Sequence, residues 1–551
     1  MIMNTRRDAL KCAAFSSAAL AAGLSPLRGL AQPVAQAPLA ETTLGTVRGT
    51  TIGGVHLFKG IPYGGSTAGP NRFMPPSPAQ PWSGVRDATV FGPIATQMSS
   101  PEHLKGTFYE GIWQPAPVTM SEDCLVVNVW TPGLADGKRR PVIFWCHGGG
   151  FAGGTGGQGW TDATHLADQN DVVVVSFNHR LNIFGYLFLE GLGGEKYASS
   201  GNAGMLDVLA ALKWVRANIA AFGGDPDNIT IAGHSGGGGK VSILMAMPAA
   251  HGLFHKAIQM SGPGLKMVDA ESAHRTAEHV LKQLSIPPSQ VDQIQTIAPE
   301  ALLNAMQAVL KDDDTGSWKV DGGLYRAFAP VVDGRILPRH PFFPDAPALS
   351  TQIPLLVGSG AEESRAMALS TPSFATMDAQ SVRLKLQSLG VDASRADRLI
   401  AGYRETRPNA PFGDIYSAIL SDLQFRGDAI AIAERKSAQH GAAVYMYLFA
   451  WNSPAENGKY RSTHGVSLPF AFDNLSQAPG LLGGLNDPPA QQLAHNMGTA
   501  WATFARTGNP NHPGLPEWRP YSTQNRATMV FDTVDKLVDD PMGHDRVVFQ
   551  S

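Results

Sequence analysis

Residues Asn228–Gly239 read Asn-Ile-Thr-Ile-Ala-Gly-His-Ser-Gly-Gly-Gly-Gly, an apolar strand that has to reverse abruptly into whatever follows. Gly233-His234-Ser235-Gly236-Gly237 fits G-x-S-x-G, in which a serine stands at the summit of a strand-to-helix turn. Such a turn is tight enough that positions two before and two after the serine have no room for side chains. Both are glycine here. With 60 glycines in 551 residues the five-residue pattern alone is weak, and its weight comes from the elements around it.

Val126-Val127-Asn128-Val129-Trp130, Val142-Ile143-Phe144-Trp145 and Val172-Val173-Val174-Val175 are short apolar runs bounded by turns, the pattern of strands buried on both faces. Between the last of them and the serine, Met205, Leu209, Leu212, Val215 and Ile219 recur at helical spacing, and Gly223-Gly224 ends that helix. Further strands are expected at Ile353 to Val357 and Ala443 to Phe449. This alternation predicts an α/β fold: a large, mostly parallel central sheet flanked by helices. The segments 265–345 and 365–440 are less regular and helix-rich, and are expected to pack over the site as inserted cap segments.

The amino terminus differs in character. Thr5-Arg6-Arg7-Asp8-Ala9-Leu10-Lys11 precedes an Ala/Leu-rich stretch from Cys12 to about Leu24, and Gly29-Leu30-Ala31 offers a small-residue cleavage site. Residues 1–31 read as a twin-arginine export signal, with Ala9 in place of the usual Phe, and residues 32–41 as a tether. The apolar stretch is too short for a permanent bilayer-spanning helix, so no stable membrane insertion is expected after cleavage; an uncleaved anchor is the alternative. The reading implies a periplasmic or secreted protein. Residues 1–31 carry four cations and one anion, so their removal takes the formal charge from −3 to −6. With no basic stripe elsewhere, nucleic acid is not an expected partner.

A serine hydroxyl at neutral pH needs a base within hydrogen-bond reach and a carboxylate to orient that base. In folds built on this turn the chain order is Ser, acid, His. Ala361-Glu362-Glu363 follows the strand Pro354 to Gly358 and supplies the acid. Arg461-Ser462-Thr463-His464-Gly465 offers the base, although position alone leaves His440, His495 and His512 open. His147-Gly148-Gly149-Gly150-Phe151 follows the strand Pro141 to Cys146, and its glycines let backbone N–H groups converge on one point, joined by the amide of Gly236. No H-E-x-x-H occurs and the histidines and cysteines lack zinc-ligand spacing, so neither metal nor organic cofactor is implied. Cys124 and Cys146, expected in neighbouring strands, are read either as a pair or as two buried free thiols.

Ordered blocks along residues 42–545 resemble the type-B carboxylesterases, the α/β-hydrolase family that includes bacterial p-nitrobenzyl esterases and the cholinesterases. They include Leu57-Phe58-Lys59-Gly60-Ile61-Pro62-Tyr63, Ser121-Glu122-Asp123-Cys124-Leu125, Asn178-His179-Arg180, Phe222-Gly223-Gly224-Asp225-Pro226, Pro330-Val331-Val332-Asp333-Gly334 and Thr507-Gly508-Asn509-Pro510-Asn511. The resemblance implies one α/β-hydrolase domain over 42–551, a serine carboxylic-ester hydrolase acting on a small-molecule ester through an acyl-enzyme. It places the nucleophile on Ser235, the oxyanion-binding amides on Gly149, Gly150 and Gly236, and the base on His464, because His464-Gly465 precedes Leu468-Pro469-Phe470-Ala471-Phe472. The acid falls on Glu363, with Glu362 one residue away as the alternative, since Ser364 stands where the family has glycine.

Three further departures matter. His234 precedes the nucleophile where the family usually has Glu, and Ser467 replaces a Glu three residues after the histidine. Two carboxylates are thus missing, which favours a neutral or anionic ester over a cationic one. His234 is expected to be a satisfied supporting histidine rather than a titrating group. Ala95 stands where the family has the disulfide partner of Cys124, so the segment 98–120, with Phe108, Tyr109 and Trp113, is expected to lie looser at the pocket mouth, Trp113 either stacking on substrate or packing in the core. The same triad serves amides, carbamates or lactones in principle, and silent adhesion members of the family lack the serine that this chain retains.

Overall fold

The computed structural model describes residues 37–98, 108–109, 112, 118–262, 264–311, 327–483 and 486–551. The strand Arg140–Cys146 shows why the sequence folds as it does. All seven of its residues are buried. Val142, Phe144 and Cys146 belong to one apolar cluster, whereas Ile143 and Trp145 belong to another. Successive strand residues point to opposite faces, so an unbroken apolar run needs a core on each side.

The central sheet comprises β1 (Thr50–Ile52), β2 (Val55–Pro62), β3 (Val126–Thr131), β4 (Arg140–Cys146), β5 (Val173–Phe177), β6 (Gly224–His234), β7 (Lys256–Met260), β8 (Leu355–Gly360), β9 (Val444–Phe449), β10 (Ala527–Phe531) and β11 (Lys536–Asp539). Across the sheet they lie in the order β11-β10-β9-β8-β7-β6-β4-β5-β3-β2-β1. Every pair from β5 across to β10 is parallel. The outer pairs β1–β2, β2–β3, β3–β5 and β10–β11 are antiparallel. This is the expected mostly parallel sheet, with mixed edges.

Helices α1 (Ala203–Asn218) and α2 (Gly236–Ala246) cover one face. In α1 the expected stripe of Met205, Leu209, Leu212 and Val215 faces that core, a 3₁₀ turn Ile219–Phe222 extends it, and Gly223 closes it at φ 73°. The cap segments build separate apolar clusters. Helices α3 (Ala270–Gln283) and α4 (Pro299–Lys311) pack on Ile183, Phe184 and Leu187. Helices α5 (Ala379–Ser388), α6 (Ala393–Thr406) and α7 (Phe412–Ser421) pack on one another. Five residues of π-helix, Asp422–Arg426, join α7 to α8 (Gly427–Ser437), which returns to the first sheet face. Helix α9 (Pro488–Thr507) covers the opposite face with Leu493, Met497, Trp501 and Phe504.

Two expectations are corrected. The tether of 32–41 gives way early to structure: Leu39–Thr42 pairs antiparallel with Gly45–Arg48, because alternation there turns Ala40 into the first core. Cys124 and Cys146 are not in neighbouring strands. Cys124 lies just ahead of β3, and β5 runs between β3 and β4; both thiols are free and buried. The expected signal of 1–31 and Trp113 lie outside the described residues.

Candidate active site

β4 connects to β5 on one side of the sheet and β6 to β7 on the other, so the chain changes direction between β4 and β6. At such a switch point the loops leaving the carboxyl ends of parallel strands diverge and open a crevice. The glycine loop leaves β4 there and Ser235 leaves β6.

Ser235 sits at φ 58°, ψ −126°, a region that a residue with a Cβ rarely occupies and that costs on the order of 1–3 kcal/mol. The strain is held from both sides. Its N–H donates to the carbonyl of Met260 at 2.9 Å, and its carbonyl accepts from Gly239 N at 3.1 Å. The flanking glycines are required by contact: a Cβ on Gly237 would lie 2.0 Å from the Cys146 oxygen, and one on Gly233 2.5 Å from the Gly237 backbone. The turn therefore locks against β4, with Ser235 half-buried at its summit.

Gly149 and Gly150 take positive φ values of 91° and 64°. Gly150 lies against the first residue of α2, because a Cβ on Gly236 would be 2.2 Å from the Gly150 oxygen and 2.4 Å from its Cα. Two of the three expected oxyanion-binding positions are thus in backbone contact. His147 is buried, with Nδ1 2.8 Å from the Gly148 carbonyl and its ring stacked 5.0 Å from that of His179. A carbonyl only accepts, so Nδ1 carries the proton. Burial, aided by nearby Lys240, pulls His147 down to about 3, and it is neutral at physiological pH.

Glu363 is the carboxylate against the imidazole: its Oε2 lies 2.5 Å from His464 Nδ1. Glu363 is 1% exposed, and its other oxygen accepts from Ser261 Oγ at 2.5 Å and from the Gly360 amide. The two segments are also stitched by backbone, His464 N–H to the Glu363 carbonyl at 2.9 Å. The His464 ring lies between Phe425, stacked at 4.4 Å, and His234, at 4.5 Å. Because His234 is next to Ser235 in the chain, that contact brings imidazole and turn into one corner. Glu362 points elsewhere and pairs with Arg461 at 3.1 Å.

The other histidines are engaged elsewhere. His495 approaches Asp473 at 3.4 Å, and His512 Nε2 lies 3.0 Å from the Asn496 carbonyl. His440 occupies a turn after α8 at φ 50°. His234 differs from expectation: its Nε2 has no hydrogen-bond partner among the described residues. Burial and the neighbouring His464 hold it well below the usual imidazole range, so it is a neutral wall rather than a satisfied donor. Ser364 is put to use, its N–H donating to Ser421 Oγ at 3.0 Å and its hydroxyl to Gln424 Oε1 at 2.8 Å. These bonds tie the Glu363 turn to the π-helix that carries Phe425. From the segment 98–120, Tyr109 reaches the site and donates its hydroxyl to the His464 carbonyl at 3.2 Å.

Sequence reading overlooked Ser261, Phe425 and Lys240. Ser261 opens the turn Ser-Gly-Pro-Gly after an apolar run, and Lys240 is the one charged residue in Gly236–Ala246; both carried a local signal. Phe425 carried none, because no residue pattern announces a π turn.

Residues 36–549 match the carboxylesterase family. The chain belongs to that family. It is 36% identical to the para-nitrobenzyl esterase of Bacillus subtilis (strain 168), over 92% of this chain and 97% of the relative. It is 31% identical to the phenmedipham hydrolase of Pseudarthrobacter oxydans, over 90% of this chain and 94% of that protein. A solved carboxylesterase of Geobacillus stearothermophilus superposes with a TM-score of 0.80 at 38% identity, covering 93% of this chain and all of that one. The fold is that of the α/β-hydrolases, and the chain is a serine carboxylic-ester hydrolase whose substrates are small-molecule esters. No helix among the described residues is long and apolar enough to cross a membrane.

Proposed function

We propose that this esterase works through Ser235, His464 and Glu363, with the amides of Gly149, Gly150 and Gly236 binding the oxyanion, and that its substrates are neutral or anionic esters. The observation that carries the assignment is the buried Glu363–His464 contact of 2.5 Å beside the strained turn of Ser235. With its Nδ1–H given to Glu363, the imidazole keeps a bare Nε2 as acceptor for the serine proton. Ser235 Oγ then attacks the ester carbonyl, and the forming oxyanion is met by the glycine amides. His464 returns the proton to the leaving alcohol, and its transient cation is stabilised by Glu363 on one edge and the Phe425 face on the other. Water repeats the sequence on the acyl-enzyme. The charge preference rests on His234 and Ser467, which stand where two carboxylates would favour a cation.

The deciding experiment is Ser235→Ala, assayed with p-nitrophenyl acetate and an organophosphonate probe. The expected result is a loss in kcat of about 10⁵–10⁶-fold with no phosphonate label on a folded protein. Labelling that persists in that variant assigns the nucleophile elsewhere. Arg6-Arg7 and the apolar stretch after them support export to the periplasm or beyond. Fractionation that finds the full-length chain in the cytosol alone would remove that part of the proposal.

A further inference from the structure

Lys240, the fifth residue of α2, is completely buried. A cation in the first turns of a helix opposes the helix dipole, and taking an ammonium out of water is costly without a counter-charge. Among the described residues no carboxylate pairs with it. Nζ instead donates to the Gly150 carbonyl at 2.9 Å and the His147 carbonyl at 3.3 Å, and lies 4.9 Å over the Phe151 ring. These two carbonyls bracket the glycine loop. The carbonyls between them are engaged as well: that of Gly148 by His147 Nδ1 at 2.8 Å, and that of Gly149 by Gly153 N at 3.1 Å.

A peptide unit is planar, with its carbonyl and the following N–H pointing opposite ways. Fixing four successive carbonyls therefore aims the N–H groups of Gly148, Gly149, Gly150 and Phe151. Glycine gives the loop its shape but no stiffness of its own, so the aim must come from these acceptor contacts. Lys240 holds the outer two, whose peptide units carry the N–H groups of Gly148 and Phe151, and so anchors both ends of the loop; His147 Nδ1 and Gly153 N hold the carbonyls that aim the Gly149 and Gly150 amides between them.

We infer that Lys240 is a positioning residue for the oxyanion site: through the carbonyls of His147 and Gly150 it holds the glycine loop in the geometry that receives the transition state. The inference rests on the roles proposed above for Gly149, Gly150 and Ser235. Burial draws the Lys240 ammonium down to about 7, and the groups around it, Cys146, His147 and His179, hold no negative charge at neutral pH.

The test is Lys240→Met in the full chain, with Lys240→Gln as a second variant read by the same criteria if the first does not fold. For each, kcat and KM for p-nitrophenyl acetate are measured with the inhibition constant of a trifluoromethyl ketone, which forms a tetrahedral adduct, and with the thermal midpoint. The expected result is a kcat lower by about 10–100-fold, less than the loss of a direct oxyanion donor. KM should stay within about twofold, the ketone should weaken in parallel with kcat, and the midpoint should hold or rise. A folded variant with kcat and ketone affinity within about twofold of wild type overturns the inference, as does a loss confined to KM. Phosphonate labelling keeps the two levels apart. If wild-type Ser235 is not labelled, the triad assignment fails; if it is labelled and the variants turn over normally, Lys240 alone is misassigned.

Discussion

His464 meets Glu363 in the interior, whereas His165 and His495 meet Asp473 at the rim of a surface cavity. The chemical groups are the same. Glu363 is 1% exposed, is held by Ser261 and the Gly360 amide, and approaches its histidine at 2.5 Å. Asp473, its side chain 10% exposed, is shared at 3.3 and 3.4 Å between two rings that are half open to water. In the buried corner the carboxylate's other oxygen is held by two donors and the imidazole lies between two rings, which fixes the orientation of the pair. At the surface, solvent screens the attraction and both histidines are free to turn away. A histidine beside an acid is common; the buried pair differs in that its orientation is enforced, as the base proposed for Ser235 requires.

Glu363→Gln tests the buried side hardest. The amide fits the space but no longer fixes the productive tautomer, and kcat should fall by about 10⁴-fold while the melting profile stays cooperative. A loss below tenfold would transfer the orienting role to another group. Burial also has an acid cost. His147, held near 3 by burial, and His179 and His234, which burial lowers well below the usual imidazole range, stay neutral in the folded chain while their unfolded counterparts titrate near 6.5. The unfolded state therefore binds more protons below about 6.5, and stability falls as pH drops below it, by about 1.4 kcal/mol per pH unit for each such group. Urea midpoints that fail to decrease between pH 7 and pH 5.5 would contradict that burial.

Phe425→Leu removes the ring face from His464 and leaves its hydrogen bond to Glu363. Loss of a stacked aromatic worth about 1 kcal/mol should lower kcat by about fivefold, with KM little changed. The smallest effect is expected at the surface pair. Asp473→Asn should keep kcat within about twofold, and a loss approaching that of Glu363→Gln would erase the distinction between the two sites.

Most strands and the helix before Ser235 were legible because burial on two faces leaves unbroken apolar runs, and helical burial leaves a 3.6-residue stripe. The order of strands was not. Nothing within Val126–Thr131 or Arg140–Cys146 records that β5 runs between them, since crossover connections set that order. Leu39–Thr42 was hidden by its Pro-rich approach, its pairing depending on a partner just downstream. Within the site, residue type and chain order led to Ser235 and the Glu362–Glu363 pair but left His464 beside His440, His495 and His512; the family resemblance placed the roles on His464 and Glu363, and the structure sets Glu363 against the imidazole and Glu362 against Arg461. Phe425 was illegible because its position depends on a π turn stabilised from afar, through Ser364–Gln424 and the buried Asp422–Arg426 ion pair.

The unbonded sulfurs of Cys124 and Cys146 have a practical corollary. Burial keeps each thiol protonated, and a full strand separates the two. Neither loop closure nor sheet assembly waits on an oxidation event at these sulfurs, so dithiothreitol should leave refolding yield and activity unaltered.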